Sequence, residues 1–259
     1  MDHAAIGLIA AMPEEIKPLL ARVGHYRKER IASFNLFRFA IADQQACLIE
    51  SGMGPVKAAA AVRMLLAEAN PAVIVNFGFA GAVTTGPAVG DLVVANRLFF
   101  HQDLSLTEEY GLDQDLTELM EMTLAKGCGG KPFRVYRGAF ITAGQIVAKV
   151  KLAGTLPQGV ANPVLDMETA AVARVAARLN VPLIAIRAVS DGSDEELGFS
   201  LEELTDDELN VRIVRVLLTV VRKPWIIPQL LRLAKNAGIA GKNLADGLLL
   251  VLQALAKEE

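Results

Sequence analysis

A chain of 259 residues has the length of one large α/β domain and does not require two. Hydrophobic residues at 53% beside charged residues at 21% describe a core-rich globular protein and exclude disorder. Lysine and arginine number 26 against 29 acids, for a net charge of -3 with no basic run, so nucleic acid is excluded as a partner.

From the N-terminus, no basic signal-peptide start is present, and the apolar stretch Ile6 to Met12 is too short to cross a bilayer. Ala5 to Ala11 reads as a buried strand feeding a helix with Pro13, Glu14 and Glu15 in its first turn. Phe34 to Ile41 and Ala46 to Glu50 flank Ala42-Asp43-Gln44-Gln45 as a hairpin. Ser51-Gly52-Met53-Gly54 opens an alanine-rich helix from Pro55 to Ala69. Ala72 to Phe79 is an apolar strand broken by Asn76, and it runs into Gly78-Phe79-Ala80-Gly81-Ala82, a candidate ligand loop. Asp91 to Phe100 is a strand, Leu112 to Lys126 an amphipathic helix, and Phe133 to Thr142 a further strand. Asp166-Met167-Glu168 leads into a helix from Thr169 to Leu179, and Val181 to Val189 is a β-branched strand ending at Ser190-Asp191. Helices are expected from Leu201 to Val221 and, after Lys223-Pro224, from Trp225 to the end, where Gly238, Gly241 and Gly247 weaken the last one. The alternation is α/β throughout.

Chemistry concentrates in acids at strand-to-helix junctions, where α/β sheets place ligands. Glu15, with Glu14 as its competitor, has compensation of the helix dipole as its bland reading. Asp166 reads as a cap, whereas Glu168 can accept hydrogen bonds from a vicinal diol. Asp191 follows Arg187 and Ser190 and can donate a proton if burial favours its neutral form; otherwise it is a turn residue before Gly192. Together they fit a group-transfer site. N-glycosidic cleavage needs an acid for the leaving base, a carboxylate for water and contacts to sugar hydroxyls as an oxocarbenium ion develops. Gly127-Cys128-Gly129-Gly130-Lys131 lacks the following Ser or Thr of a phosphate loop and reads as a connection. Cys47 and Cys128 form no CxxC pair and His3, His25 and His101 are scattered, so no metal site and no disulfide framework are expected, and a reducing cytoplasm fits.

Several segments taken together resemble the purine nucleoside phosphorylase and nucleosidase superfamily, specifically the methylthioadenosine/S-adenosylhomocysteine nucleosidases. They are Ile6 to Glu15, Ser51 to Gly54, Gly78 to Gly81, Val89-Gly90-Asp91, Asp166 to Ala170 and Arg187 to Asp191, within a match from Ile6 to about Val220. The resemblance implies a three-layer αβα sandwich around a mixed sheet that bends into a partial barrel, a homodimer, a small nucleoside substrate and no cofactor. It further implies that Glu15 positions water, that Glu168 with Met167 holds the ribose, and that Asp191, supported by Ser190, protonates the purine at N7. Arg187 would stand behind them, and Met53, Ala80 and Gly81 would line the sugar and its 5' substituent.

Two substitutions and a tail depart from that pattern. Phe79 stands where the nucleosidases carry serine, removing a hydroxyl and filling space beside the sugar. Ile146 stands at the position of the residue that stacks on adenine, with Val147 offering backbone contacts and Phe140 as the alternative stacking residue. The resemblance divides the chain into a nucleosidase-like domain over 1–222 and a C-terminal helical extension over 223–259. Pro224 to Lys235 resembles the tail of hopanoid-associated nucleoside phosphorylases, which act on a lipid-linked adenosine. A phosphorylase is therefore the alternative activity, and a non-catalytic nucleoside-binding protein the alternative of another class. The flanking basic residues and leucines of the tail allow peripheral membrane contact.

Overall fold

The computed structural model describes residues 5–103, 105–145, 147–195 and 223–257. In chain order these form β1 (Ile6–Ala10), α1 (Pro13–Val23), β2 (Arg27–Ile31), β3 (Phe34–Ile41), β4 (Gln44–Glu50), α2 (Pro55–Ala69) and β5 (Val73–Ala82). Then come β6 (Leu92–Gln102), β7 (Ser105–Glu109), α3 (Gln114–Gly127), β8 (Val135–Ala143), α4 (Lys149–Ala153), β9 (Val164–Asp166), α5 (Thr169–Arg178) and β10 (Leu183–Asp191). A 3-10 turn, Pro224–Ile226, leads into α6 (Ile227–Leu255). The helix expected over 201–221 lies outside the described residues.

The sheet is mixed. β5 pairs in parallel with β1 and β10, and β1 in parallel with β4. β10 then pairs antiparallel with β6, β6 parallel with β8, β8 parallel with β9, and β9 antiparallel with β5, so these strands close on themselves. The result is a barrel on one side and an open flank, β1-β4-β3-β2, on the other. β5 can sit at the join because every residue but Phe79 is buried, the pattern of a strand covered on both faces.

Period-2 alternation splits the core into two layers. Leu8, Phe77 and Ile186 pack with Ile16 and Leu19 of α1 and with Leu244, Leu248 and Leu252 of α6. Ile9, Ile74 and Ala185 pack on the opposite face with Val62 and Leu65 of α2 and Val172 of α5. Helices thus cover both faces of the sheet, which is the three-layer arrangement.

Some sequence expectations shift. The hairpin turn is tighter than the composition suggests, because Ala42 and Asp43 both adopt positive φ (50° and 69°) and β4 begins at Gln44. β2 carries the residues Arg-Lys-Glu-Arg-Ile and was not expected, since a charged edge strand lacks the apolar alternation that marks a buried one. The glycines of the tail do not weaken it uniformly. A β-carbon on Gly241 would stand 3.1 Å from the Glu14 carbonyl oxygen, and one on Gly247 would stand 2.6 Å from Leu92. Both let α6 approach the body closely. Asn243 donates to the Gly90 carbonyl at 2.9 Å, and Arg22 of α1 pairs with Asp246 at 2.6 Å. The later part of the tail is therefore core, sharing its cluster with β1, β5 and β10. No helix among the described residues is long and apolar enough to cross a membrane.

Candidate active site

The three junction acids lie at the C-terminal ends of β1, β9 and β10, beside the last residues of β5. Glu15 lies in the first turn of α1 and is buried. Its Oε2 accepts the backbone N-H of Ala11 and of Met12, each at 2.8 Å, and its Oε1 accepts that of Phe79 at 2.8 Å. It therefore caps its own helix and also bridges to β5. Burial raises its proton affinity, opposed by the Phe79 N-H, by the positive charge of Arg187 and by the Met12 and Ala11 N-H groups. Gly78 is required beneath it: a β-carbon there would stand 2.6 Å from Oε1. Glu14 points to solvent.

Glu168 is the cap of α5. Its Oε1 accepts the Gly54 N-H at 2.8 Å and its Oε2 the Met167 N-H at 3.3 Å, so the Gly52-Met53-Gly54 loop and the 166–168 junction are tied together. Burial, followed by repulsion from Asp166, pushes its carboxyl up to about 8. Asp166 is structural: it accepts from Thr142 Oγ1 at 2.6 Å, from the Glu168 and Thr169 N-H groups, and from Thr169 Oγ1, and it ion-pairs with Arg187 at 3.0 Å. Arg187 is buried and also donates to Asn76 Oδ1 and Thr169 Oγ1, both at 2.7 Å. Asn76, the one polar residue in the apolar run of β5, thus anchors this network from beneath.

Asp191 ends β10 opposite Gly81 of β5. Its Oδ1 accepts the Ser190 hydroxyl at 2.7 Å, and its Oδ2 accepts the ammonium of Lys149. That ammonium also donates to the Gly192 carbonyl at 2.6 Å and lies 3.5 Å from the Asp191 carbonyl. Gly81 admits the pair, since a β-carbon there would stand 2.6 Å from Asp191 Oδ2 and 2.9 Å from Lys149 Nζ. Glu15 faces Gly78 and Asp191 faces Gly81, two glycines three residues apart, about 10 Å of backbone, on β5.

The remaining candidates take various places. Ala80 is buried, its carbonyl accepting the Ser190 hydroxyl at 3.4 Å, while Met53, Met167 and Val147 are half-buried. Phe79 reaches Glu15 through its main chain, and its ring lies against α6, 3.4 Å from a β-carbon built on Gly241. Phe140 is fully buried with the Arg187 guanidinium 5.7 Å above its ring, which removes it as a surface for stacking a base. Ile146 lies outside the described residues. Sequence reasoning missed Lys149, Asn76, Thr142 and Thr169. Lys149 sits in Val147-Ala148-Lys149-Val150-Lys151, where no local signal distinguishes it from Lys151. Among the described residues no cluster of three or more His, Cys, Asp or Glu is arranged to hold a metal.

Comparison with known proteins places the chain in a family. The family model of the Phosphorylase superfamily matches residues 5–222. Proteins from Actinobacillus succinogenes and Haemophilus influenzae named 5'-methylthioadenosine/S-adenosylhomocysteine nucleosidase are each 32% identical over 213 residues, covering 76% of this chain and 90% of the relative. The crystal structure of the nucleosidase of that name from Neisseria meningitidis, in complex with methylthio-immucillin-A, superposes with a TM-score of 0.73 over 97% of this chain and 99% of that one, at 21% identity. The native futalosine hydrolase of Helicobacter pylori superposes with a TM-score of 0.72 at 17% identity, covering 95% of this chain and 96% of that one.

Proposed function

This chain belongs to the Phosphorylase superfamily, and from that premise we propose that it cleaves the N-glycosidic bond of an adenine nucleoside of the methylthioadenosine/S-adenosylhomocysteine type, with water as nucleophile. Glu168 accepts the ribose hydroxyls. Asp191, held by Ser190, gives a proton to N7 of the purine as the C1'–N9 bond breaks and its electrons pass to the base. Glu15, at the other end of this stretch of β5, orients the water and takes its proton as the oxygen joins C1'. Arg187 carries no step; it neutralises Asp166 and so keeps Glu168 in place. The observation that supports hydrolysis over phosphorolysis is the charge at the nucleophile's end: Glu15 stands there, and Arg187 and Lys149 are committed to Asp166 and Asp191. A phosphate dianion beside Glu15 meets repulsion, whereas water meets an acceptor.

Adenine release from methylthioadenosine and S-adenosylhomocysteine, measured with and without phosphate, tests the reading. Release independent of phosphate, abolished in Asp191→Asn with the fold intact, is expected. Release only with phosphate moves the assignment to the phosphorylase, and tight nucleoside binding without release moves it to a binding protein.

We further propose a cytoplasmic homodimer that meets an anionic bilayer through the start of α6. Cys47 and Cys128, both free and buried, support a reducing compartment. Val56 and Tyr110, more than 80% exposed, are apolar surface for a second copy, and light scattering at twice the chain mass is the expected result. Ile227, Leu231, Ala234 and Gly238 recur at the spacing of one helix face and point away from the body, with Trp225 70% exposed beside them. Seven basic residues and no acid lie between Glu208 and Asp246 in a chain of net charge -3. Sedimentation with phosphatidylglycerol vesicles, weakened by salt and by Leu231→Glu, is expected; no sedimentation at excess lipid sinks this part.

A further inference from the structure

Resting on the hydrolytic reading above, we propose that Lys149 works through Asp191 as a positioning residue that also stores its proton. Lys149 is the first residue of α4 and is 7% exposed, an unusual place for a lysine unless its charge is matched. A cation at a helix N-terminus is opposed by the backbone dipole, so the local helix does not explain it. What surrounds its nitrogen does. Three acceptors, Asp191 Oδ2, the Gly192 carbonyl and the Asp191 carbonyl, face the three hydrogens of the ammonium. Ser190 holds the other carboxylate oxygen, and Gly81 leaves the space both partners occupy.

A proton donor must carry its proton when the base arrives, yet Asp191 rests as an ion pair. The pair solves this with one mobile proton. In one form it is ammonium and carboxylate; in the other it is amine and carboxylic acid, with the amine's two remaining hydrogens still on the two carbonyls. A bound nucleoside displaces water from the partly open Asp191, and loss of water favours the uncharged form over the ion pair. The proton then passes from Lys149 Nζ to Asp191 Oδ2 and from Asp191 to purine N7 as the C1'–N9 electrons move onto the base. Asp191 is left a carboxylate and Lys149 an amine. The proton removed from water by Glu15 returns to solvent, and one taken from solvent at Lys149 restores the pair.

A leaving group that needs no proton separates this role from a structural one. Wild type and the variants Lys149→Met and Lys149→Arg are assayed on methylthioadenosine and on a 4-nitrophenyl riboside, whose phenolate departs unprotonated. Loss of acid assistance costs about 10²–10⁴-fold, so the ratio of kcat/KM for the adenine nucleoside to that for the nitrophenyl riboside falls by at least about 10² in Lys149→Met. Lys149→Arg keeps the charge and the contacts but does not release a proton, and the ratio falls there too. Equal losses on both substrates, or no loss, overturn the proposal, and recovery of the ratio in Lys149→Arg leaves positioning without proton storage and also overturns it. Absence of adenine release by the wild type overturns the hydrolytic reading instead.

Discussion

Gly78→Ala is a methyl-sized perturbation whose consequence follows from one distance. The added carbon would stand 2.6 Å from Glu15 Oε1 and 3.0 Å from Glu15 Cδ. Ordinary contact begins near about 3.5 Å, so the carboxylate must retreat by about 0.9 Å. That retreat stretches the 2.8 Å hydrogen bond from Phe79 N-H, while Ala11 and Met12 continue to hold Oε2. A charge-assisted hydrogen bond contributes about 1.5–3 kcal/mol, and a 1 Å misplacement of a reacting group costs about 10²-fold. At about 1.4 kcal/mol per decade the two agree on a fall in kcat of about 10- to 10²-fold. KM changes little, because Glu168 and its partners Gly54 and Met167 are on other segments. Gly78 does not have positive φ, so alanine fits the strand itself and circular dichroism should report a native fold. The assay is initial-rate adenine release, with Glu15→Gln as the reference for complete loss. A folded Gly78→Ala enzyme with kcat within twofold of wild type would refute the assignment of Glu15 as the water-orienting group.

Glu168 carries a pH dependence with a definite sign. Its carboxyl is raised from 4.5 to about 8, so the folded protein holds the proton after the unfolded chain has released it, and stability falls as pH rises from about 4.5 through 8. Glu168→Gln removes that cost. Its Tm relative to wild type should climb between pH 5 and 8 while ribose binding is lost, and a difference flat in pH would contradict the burial argument. Leu248 is fully buried beside α1, β1 and β10, so Leu248→Ala should lower unfolding stability by about 2–5 kcal/mol in denaturant titrations. A change below about 0.5 kcal/mol would show that the tail contributes nothing to the core.

Several parts of this protein were legible from residue order because their signals are local. An apolar run followed by Pro13-Glu14-Glu15 specifies strand, turn and helix start within ten residues, and α2 begins and ends where its composition indicates. The acids Glu15, Glu168 and Asp191 stood out because each sits at such a junction. The charged strand β2 was not legible because it lacks apolar alternation, although it pairs with the adjacent β3, and the three-residue β9 was not legible because it forms only against β5 and β8, distant in the chain.

Sequence alone therefore determined the α/β alternation and the inventory of acids, both of which rest on neighbours a few positions apart. Tertiary structure decided the rest. It assigned Asp166 to the Arg187 network and Glu168 to the Gly54 loop, although both acids lie in one tetrapeptide. It turned the ring of Phe79 toward Gly241, made Gly247 a contact point for α6, and placed Lys149 on Asp191 across 42 residues. The physical reason is common to all of these. A buried charge is tolerable only with a partner, and a close approach only where a side chain is missing, so each depends on what the closed barrel brings near it rather than on what precedes it in the chain.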